Sequence, residues 1–564
     1  MKTRYESCQC FGIPRLVAGC VVALMAVFLI AASSPVARGQ DPAQQSQQQP
    51  PPDIPPLPLS PVEIAEKNGT ALRLSLKDVT KLALQNNLDI AIQDTNEELA
   101  LQKVIAAYGP YDPTIGFNFS TSSSQSPNTN TATASAAGFN KSDRLTWNLR
   151  FDQAIRTGAT ISANLNANRT NTNQIFALFN PQYGSNGSIS FTQPLWRNFR
   201  IDQNRGNIKI VNLDLKTNDS QFKQKVTDTI SRIQSLYWDL VGTIRDYSIQ
   251  RESVKLAQIS LENNKKKVEI GTLAPIAITE AQAELASREV QLTAAEDRIN
   301  NVQNNLRALI SNDRNAEIWK QTIIPTETPE FKEYQIALDG AIDTAMSSRP
   351  ELEQLDLNIQ KNDINYDVNA SRRKWQVDLV AGLGAQGVST PNRDPKTNPD
   401  FYGGPMQSYW VLFNGGFTNW SVGLNLSIPL KNKSTDSQLA QLSIQKRQLL
   451  MNRKSLEQQI LVEVRNAVQA LGTSKKSVEQ ARVARELAQE QLVGEEKRFQ
   501  AGLSENFRVL DRQRFLSSAQ GQELQALINY KKAVITMQKA MYILLESNDF
   551  EMAKSGSGVA PTIQ

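Results

Sequence analysis

Two stretches of this chain, residues 206–270 and 434–500, read as single helices. At 1.5 Å of rise per residue each would run for about 100 Å. That exceeds any ordinary globular core and forces an elongated architecture. Apolar side chains step by three and four through the helical regions. Ile230, Ile233, Tyr237, Leu240, Ile244 and Tyr247 form one series, and Ile299, Val302, Leu306 and Leu309 a second. Leu527, Tyr530, Val534, Met537, Met541 and Leu544 form a third. Gln, Asn, Lys, Glu and Ser lie between them. A soluble coiled coil satisfies this rhythm alone, so the rest of the chain decides.

The chain also repeats itself. Leu76–Ile90 aligns with Leu338–Leu352, Gln193-Pro194-Leu195 with Ile428-Pro429-Leu430, and Gly271…Glu280…Leu285 with Gly502…Asp511…Leu516. The three pairs occur in the same order, which makes two tandem copies of one unit, too long for a solenoid. Each copy reads helix, strands, very long helix, turn, helix. The first has a helix over 75–108, strands over 114–195, the long helix, a turn at Gly271 and a helix to Ser311. The second has 337–373, 377–430, the long helix, a turn at Gly502 and 505–546. The shorter helices can stack end to end along the long ones.

The strands point toward a bilayer. Trp420, Val422, Leu424, Leu426, Ile428 and Leu430 share one face, with Ser421, Gly423, Asn425 and Ser427 on the other. Ile115, Phe117 and Phe119 oppose Gly116, Asn118 and Ser120. Ile189 and Phe191 oppose Ser188, Ser190 and Thr192, and Leu379, Ala381 and Leu383 continue the pattern. Runs of about 8–11 residues with an apolar outside and a polar lumen are the signature of a transmembrane β-barrel; a half-buried antiparallel sheet alternates in the same way. The segments 121–141, 169–187 and 388–418 are long, rich in Ser, Asn, Thr and Gly, and suit external loops. An additional hairpin in the first copy alternates Leu145, Trp147, Leu149 and Phe151, then Ala159, Ile161, Ala163 and Leu165. It makes six membrane strands per chain instead of four, or extends above the membrane. Both remain open.

The first forty residues supply an address. Lys2, Arg4 and Arg15 precede an apolar run from Leu16 to Ala32 and then small residues, the pattern of a secretory signal peptide. Ala37 and Gly39 suit cleavage before Gln40. Val17–Cys20 also resembles a lipoprotein box, although the apolar run lies on its wrong side. All three cysteines (Cys8, Cys10, Cys20) fall in this leader, and the chain contains no histidine. Cys/His metal sites and Ser-His-Asp or Cys-His catalysis are excluded. No G-x-x-x-x-G-K-[ST] phosphate loop occurs. Beyond the leader 57 basic groups face 55 acidic ones, with no basic bias toward nucleic acid. The expected organisation is a signal peptide (1–39), a Gln/Pro-rich disordered segment (40–69), a first repeat (70–312), a connector (313–332), a second repeat (333–547) and a disordered tail (548–564).

Over residues 70–547 the chain resembles the TolC family of outer-membrane efflux and secretion channels. The most specific stretch is Arg498-Phe-Gln-Ala-Gly502-Leu-Ser-Glu-Asn-Phe-Arg508-Val-Leu-Asp511-Arg-Gln-Arg-Phe-Leu516, followed by Tyr530-Lys-Lys-Ala533. The two X-Pro-Leu junctions are similar to the family's passages from strand to helix. The resemblance implies a mixed α and β membrane protein: a trimeric transmembrane β-barrel continuous with a long periplasmic α-helical barrel, two tandem structural repeats per chain. It implies a homotrimer in the outer membrane of a Gram-negative bacterium, touching outer-membrane lipid. Its partners would be a periplasmic adaptor protein and an inner-membrane transporter of efflux or ABC type. The function implied is the passive exit duct of a tripartite efflux pump or type I secretion system, with no enzyme activity, cofactor or nucleic acid. A soluble or lipid-anchored periplasmic coiled-coil adaptor is the alternative. Trimerisation also has a physical argument, because four or six strands cannot close a barrel and open sheet edges in lipid cost several kcal/mol per unpaired backbone group.

The resemblance further implies that the closable end lies at the two helix turns. Asp511 matches an acidic position that narrows the family's pore. Arg508 stands where a second acid is expected, Phe499 where a tyrosine is, and Ser504 where an arginine is. Thr279-Glu280 is similar to the Thr-Asp of the first copy. Asp511, Arg508 and Glu280 are thus candidates for lining the aperture, with Arg508 and Asp511 spaced for an i, i+3 pair; the same charges also fit ordinary solvated helix ends. Gly271, Leu273, Gly502 and Leu503 are candidate adaptor contacts. Ile115, Phe117, Phe119, Ile189, Phe191, Trp420, Val422, Leu424 and Leu426 are the expected lipid-facing residues.

Overall fold

The computed structural model describes residues 59–129, 135–393 and 398–548. The expected signal peptide, the Gln/Pro-rich stretch up to residue 58 and the tail from 549 lie outside the described residues. The elements run α1 (Pro61–Lys67), β1 (Ala71–Leu74), α2 (Leu76–Asn86), α3 (Leu88–Ala106), β2 (Thr114–Pro127), β3 (Phe139–Ala154), β4 (Thr160–Thr172), β5 (Gln182–Pro194), α4 (Gln203–Glu269) and α5 (Ile276–Ile310). They continue as β6 (Thr322–Pro325), α6 (Leu338–Ser348), α7 (Pro350–Arg373), β7 (Gln376–Ser389), α8 (Pro405–Phe413), β8 (Phe417–Ser427), α9 (Lys433–Gln500) and α10 (Asn506–Ala540).

The helices lie side by side as four columns. α4 and α9, of 67 and 68 residues, are unbroken and about 100 Å long. α5 follows one half of α4 and the pair α2–α3 the other; α10 and α6–α7 accompany α9 in the same way. α4 also packs on α7 and α10, so the column order is α3/α5, α4, α7/α10, α9. A column with neighbours on both sides must bury two apolar seams. α4 does so with Ile230, Ile233, Tyr237 and Leu240, each fully buried, and α10 with Tyr530, Ile535 and Met537. This is the three-and-four rhythm of the sequence converted into packing.

Each expected continuous helix at the head of a repeat is in fact two. The first breaks at Asn87 and the second at Arg349–Pro350, where proline has no N–H to give the preceding turn. The breaks occur at equivalent positions and do equivalent work. Asn87 Nδ2 donates to the Leu309 carbonyl at the end of α5 (2.8 Å), and Arg349 Nε donates to the Ala540 carbonyl at the end of α10 (3.0 Å). Each break therefore caps the helix stacked beneath it, supplying a partner to a carbonyl that the helix itself leaves free.

Two further departures have local causes. Within the segment 40–69, expected to be disordered, Pro61–Lys67 is helical, because Ser60 and Glu63 form a reciprocal capping box at its start. The connector contributes β6, which pairs in parallel with β1 from Ala71↔Thr322 to Leu74↔Pro325 and ties the two repeats together.

The remaining strands make one antiparallel sheet in the order β2-β3-β4-β5-β7-β8. The additional hairpin β3–β4 is fully paired within it, from Thr114↔Asp152 on one side to Thr160↔Thr192 on the other. Six strands, not four, belong to the sheet. β8 stops at Ser427, so Ile428 and Leu430 lie just beyond the strand on which the alternation placed them.

Candidate channel wall and helical tip

Register places the apolar positions of all six strands on one face. Ile115 pairs with Phe151, which pairs with Ala163, then Ile189, Leu383 and Trp420. Neighbouring rows run through Phe117, Leu149 and Leu165, and through Ile161, Phe191, Ala381 and Val422. The opposite face carries Gly116, Arg150, Asn164, Ser188, Gly384 and Asn419 in one paired row, and Asn118, Asn148, Asn166, Asn186 and Gln386 in the next row but one. Ile115, Phe117, Phe119, Ile189, Trp420, Val422, Leu424 and Leu426 are all exposed, Trp420 to 78%, and Phe191 is half-buried. A soluble fold would bury such a face. Among the described residues one side of the sheet is greasy and the other polar, the division that a β-wall between hydrocarbon and water requires. Among the described residues no helix is long and apolar enough to cross a membrane.

At the far end of the helices the two turns share one geometry. Gly271 and Gly502 hold φ of +82° and +73°, the left-handed region where a side chain is strained. Gly271 N–H donates to Val268 and Thr272 N–H to Lys267; Gly502 N–H donates to Phe499 and Leu503 N–H to Arg498. Both are Schellman closures, which explains the glycines without reference to a partner. Leu503 projects from the tip, 80% exposed, and Leu273 is half-buried.

The candidate aperture residues Glu280, Arg508 and Asp511 are all exposed. Arg508 and Asp511 make no ion pair with each other; the charge of Asp511 is felt instead by Arg514, one turn further along. Phe499 lies beneath the Lys267 ammonium at 3.7 Å, a cation–π contact between α9 and α4. The Ser504 hydroxyl donates to Glu495.

The strongest polar cluster near the tip was not singled out from the sequence. Glu284 on α5 has a side chain only 3% exposed and is gripped by Arg288 on its own helix and by Arg514 on α10. Glu284 and Arg288 stand four apart, a visible helical pair. Their third partner lies 226 residues beyond Arg288 and leaves no local signal.

A greasy-walled sheet running into 100 Å helical columns defines the class of outer-membrane channels with a periplasmic helical extension. The model of the outer membrane efflux protein family matches residues 79–312 and 341–541, and the chain belongs to that family. The two segments correspond to its two repeats. The chain is similar in structure to the CmeC outer membrane channel of Campylobacter jejuni (16% identity, TM-score 0.58, 85% of this chain and 90% of that one). It is also similar to the outer membrane protein VceC of Vibrio cholerae (15%, 0.58, 83% and 95%) and to the open state of the MtrE outer membrane channel of Neisseria gonorrhoeae (15%, 0.57, 83% and 89%). No curated protein sequence matches the chain significantly. The protein is thus an outer-membrane efflux channel and not an enzyme, with its helices in the periplasm.

Proposed function

We propose that three copies of this chain close into one tube, which serves as the exit duct of an export assembly. The observation that carries the reading is that the sheet and the helical layer are both open on the same two flanks. β2 and β8 are the sheet's edges and are exposed throughout. β2 continues from α3, and β8 leads into α9, which are the two outermost helical columns. Those columns also leave apolar side chains uncovered: Leu88, Ile92 and Leu99 on α3, and Met451, Val462 and Leu487 on α9. The β8/α9 flank of one copy matched to the β2/α3 flank of the next gives a head-to-tail contact that closes into a ring. Closure removes every unpaired strand edge from lipid.

Three six-stranded sheets make eighteen strands, and eighteen strands ~4.8 Å apart tilted ~40° have a perimeter of ~110 Å. Three sets of four helical columns make twelve, and at ~9 Å spacing they also give ~110 Å. The extra hairpin thus lets the barrel match the helical tube in width. In this assembly Asp511, Arg508 and Glu280 ring the periplasmic aperture, and the tips at Leu273 and Leu503 meet a periplasmic adaptor. An inner-membrane transporter of efflux or ABC type supplies the energy, since the chain has no phosphate-binding loop of its own.

Native mass spectrometry of the detergent-extracted protein, with conductance in planar bilayers, tests the reading. Three copies and discrete channel openings are expected. A monomer recovered in the soluble periplasmic fraction would overturn it. Crosslinking in cells identifies the transporter: an ATP-hydrolysing partner alone places the duct in type I secretion, and a gradient-driven one in a tripartite efflux pump.

A further inference from the structure

The apolar face of the sheet has a hollow near its rim remote from the helices. There β5 presents Gly187 and Ser185 and β7 presents Ala385 and Gly387, whereas β3 presents Leu149 and Trp147 in the same rows. The hollow is filled by α8, a nine-residue helix in the β7–β8 loop that contains no charged residue. The Ser185 hydroxyl donates to the Ser408 carbonyl at 2.8 Å. A Cβ on Gly387 would fall 1.9 Å from that same oxygen, so only glycine admits the helix. Leu412 covers Gly187, and the Tyr409 ring lies 5.9 Å from that of Trp147.

Ser408, Val411 and Leu412 are thus buried against the sheet. The other side of α8 bears Met406, Trp410 and Phe413, spaced four and three apart and exposed to 77%, 53% and 76%. A helix apolar on both sides is unfavourable at a water surface, at ~25 cal/mol per Å² of apolar area left wet. Here it restores the greasy exterior where the strands offer only small side chains. The row of Gly187 and Ala385, over which Leu412 lies, is next to the apolar row of Leu383 and Trp420. One row beyond the hollow, Arg169 is exposed and makes no ion pair or side-chain hydrogen bond among the described residues. A lone guanidinium just outside an apolar band is suited to lipid phosphate.

We infer that α8 is a membrane-facing element. It lies in the plane of the outer leaflet at the boundary of the hydrocarbon layer, with Met406, Trp410 and Phe413 among acyl chains. It thickens the lipid contact on one side of each subunit and fixes the depth of the barrel, as interfacial aromatic residues do. The inference rests on the reading that the sheet's apolar face meets lipid.

The test is spin labelling of the full channel in phospholipid vesicles. No cysteine occurs after Cys20, so Met406→Cys reports α8, Val422→Cys reports the strand wall, and Thr272→Cys reports water at the tip. The label at 406 is expected to be accessible to oxygen and shielded from a water-soluble nickel chelate, with an oxygen-to-nickel ratio within about twofold of that at 422. Nickel access equal to that at 272 would overturn the inference. So would an immobile label shielded from both probes, which would put a protein partner or a second copy over α8 instead of lipid. A water-accessible label at 422 would instead defeat the wall reading itself. As a second variant, Gly387→Val is expected to unseat α8 and raise nickel access at 406; an unchanged ratio would show that the helix is not held as described.

Discussion

Arg514 on α10 binds Glu284 on α5, its Nε within 2.8 Å of both carboxylate oxygens, and so joins the two helical hairpins near their tips. The two guanidiniums that hold Glu284 are unequal. Arg514 is 56% exposed, so water screens its contact, whereas Arg288 is 3% exposed and also donates to the Ser253 carbonyl. Loss of Glu284 would strand a buried cation. Glu284→Gln is therefore expected to cost about 3 kcal/mol and Arg514→Ala about 1 kcal/mol or less. Hydrogen exchange over residues 276–290 and 506–516 checks the order. Equal protection in the two variants would show that Arg288 does not depend on the carboxylate.

The same cluster has a pH signature. Burial pushes the Glu284 carboxyl up, but hydrogen bonds from Arg514 and Arg288 outweigh it and hold it below its ordinary value of 4.5. A depressed carboxylate contributes stability above its unfolded value and loses it as pH falls through the folded one. The cluster is thus at full strength at neutral pH and is lost only below pH 4.5. Tip exchange in the unsubstituted channel should rise on acidification below that point, while Glu284→Gln should already be loose at pH 7. Identical pH profiles would remove Glu284 as the cause.

Charge at the aperture gives a separate prediction. With Asp511 and Arg508 exposed and unpaired with one another, neither neutralises the other, and three copies of each would set the field of a narrow throat. Arg508→Glu is expected to raise the cation-to-anion permeability ratio several-fold, and Asp511→Asn to lower it. Reversal potentials in a salt gradient measure both. If neither moves, these side chains do not line the path.

The helix breaks carry stability. Asn87 caps α5 through its amide nitrogen and starts α3 through its oxygen, which accepts from Asp89 and Ile90 at 2.9 and 3.2 Å. Asn87→Ala removes both roles and should cost about 1–2 kcal/mol. Arg349→Met should cost more, because Glu351 and Glu463 lose their shared guanidinium as the Ala540 carbonyl loses its donor. Thermal unfolding of the purified channel checks the ranking, and a reversed order would show that the second break is held mainly by Pro350.

Much of this architecture was legible because it follows from local periodicity. The columns, the tip glycines and the two faces of β8 are written in steps of three, four and two. What escaped depends on pairing at a distance. The hairpin Phe139–Ala154 and Thr160–Thr172 alternates in the same way inside or above a membrane, and only its register with Ile115 and Ile189 decides. The run Pro405–Phe413 lies within an expected external loop, and it becomes a seated helix because Gly387 on the preceding strand and Ser185, 223 residues from Ser408, leave room for it. Among candidate site residues, the tip turns could be placed from their glycines, but Arg514 could not be matched to Glu284, since ion pairs between columns have no sequence period.

The hairpin β3–β4 supplies the last prediction. Deleting residues 139–172 would leave β2 beside β5, still antiparallel, so the sheet itself need not fail. Twelve strands, however, have a perimeter of only ~75 Å, against the ~110 Å of twelve helical columns. The columns would have to converge where α3, α4, α7 and α9 meet the sheet, and buried contacts there, such as Val368 against α4, would be compressed. The deletion is expected to lower trimer yield and to reduce the conductance of the trimers that form. Undiminished yield with unchanged conductance would mean that the two added strands do not set the width of the pore.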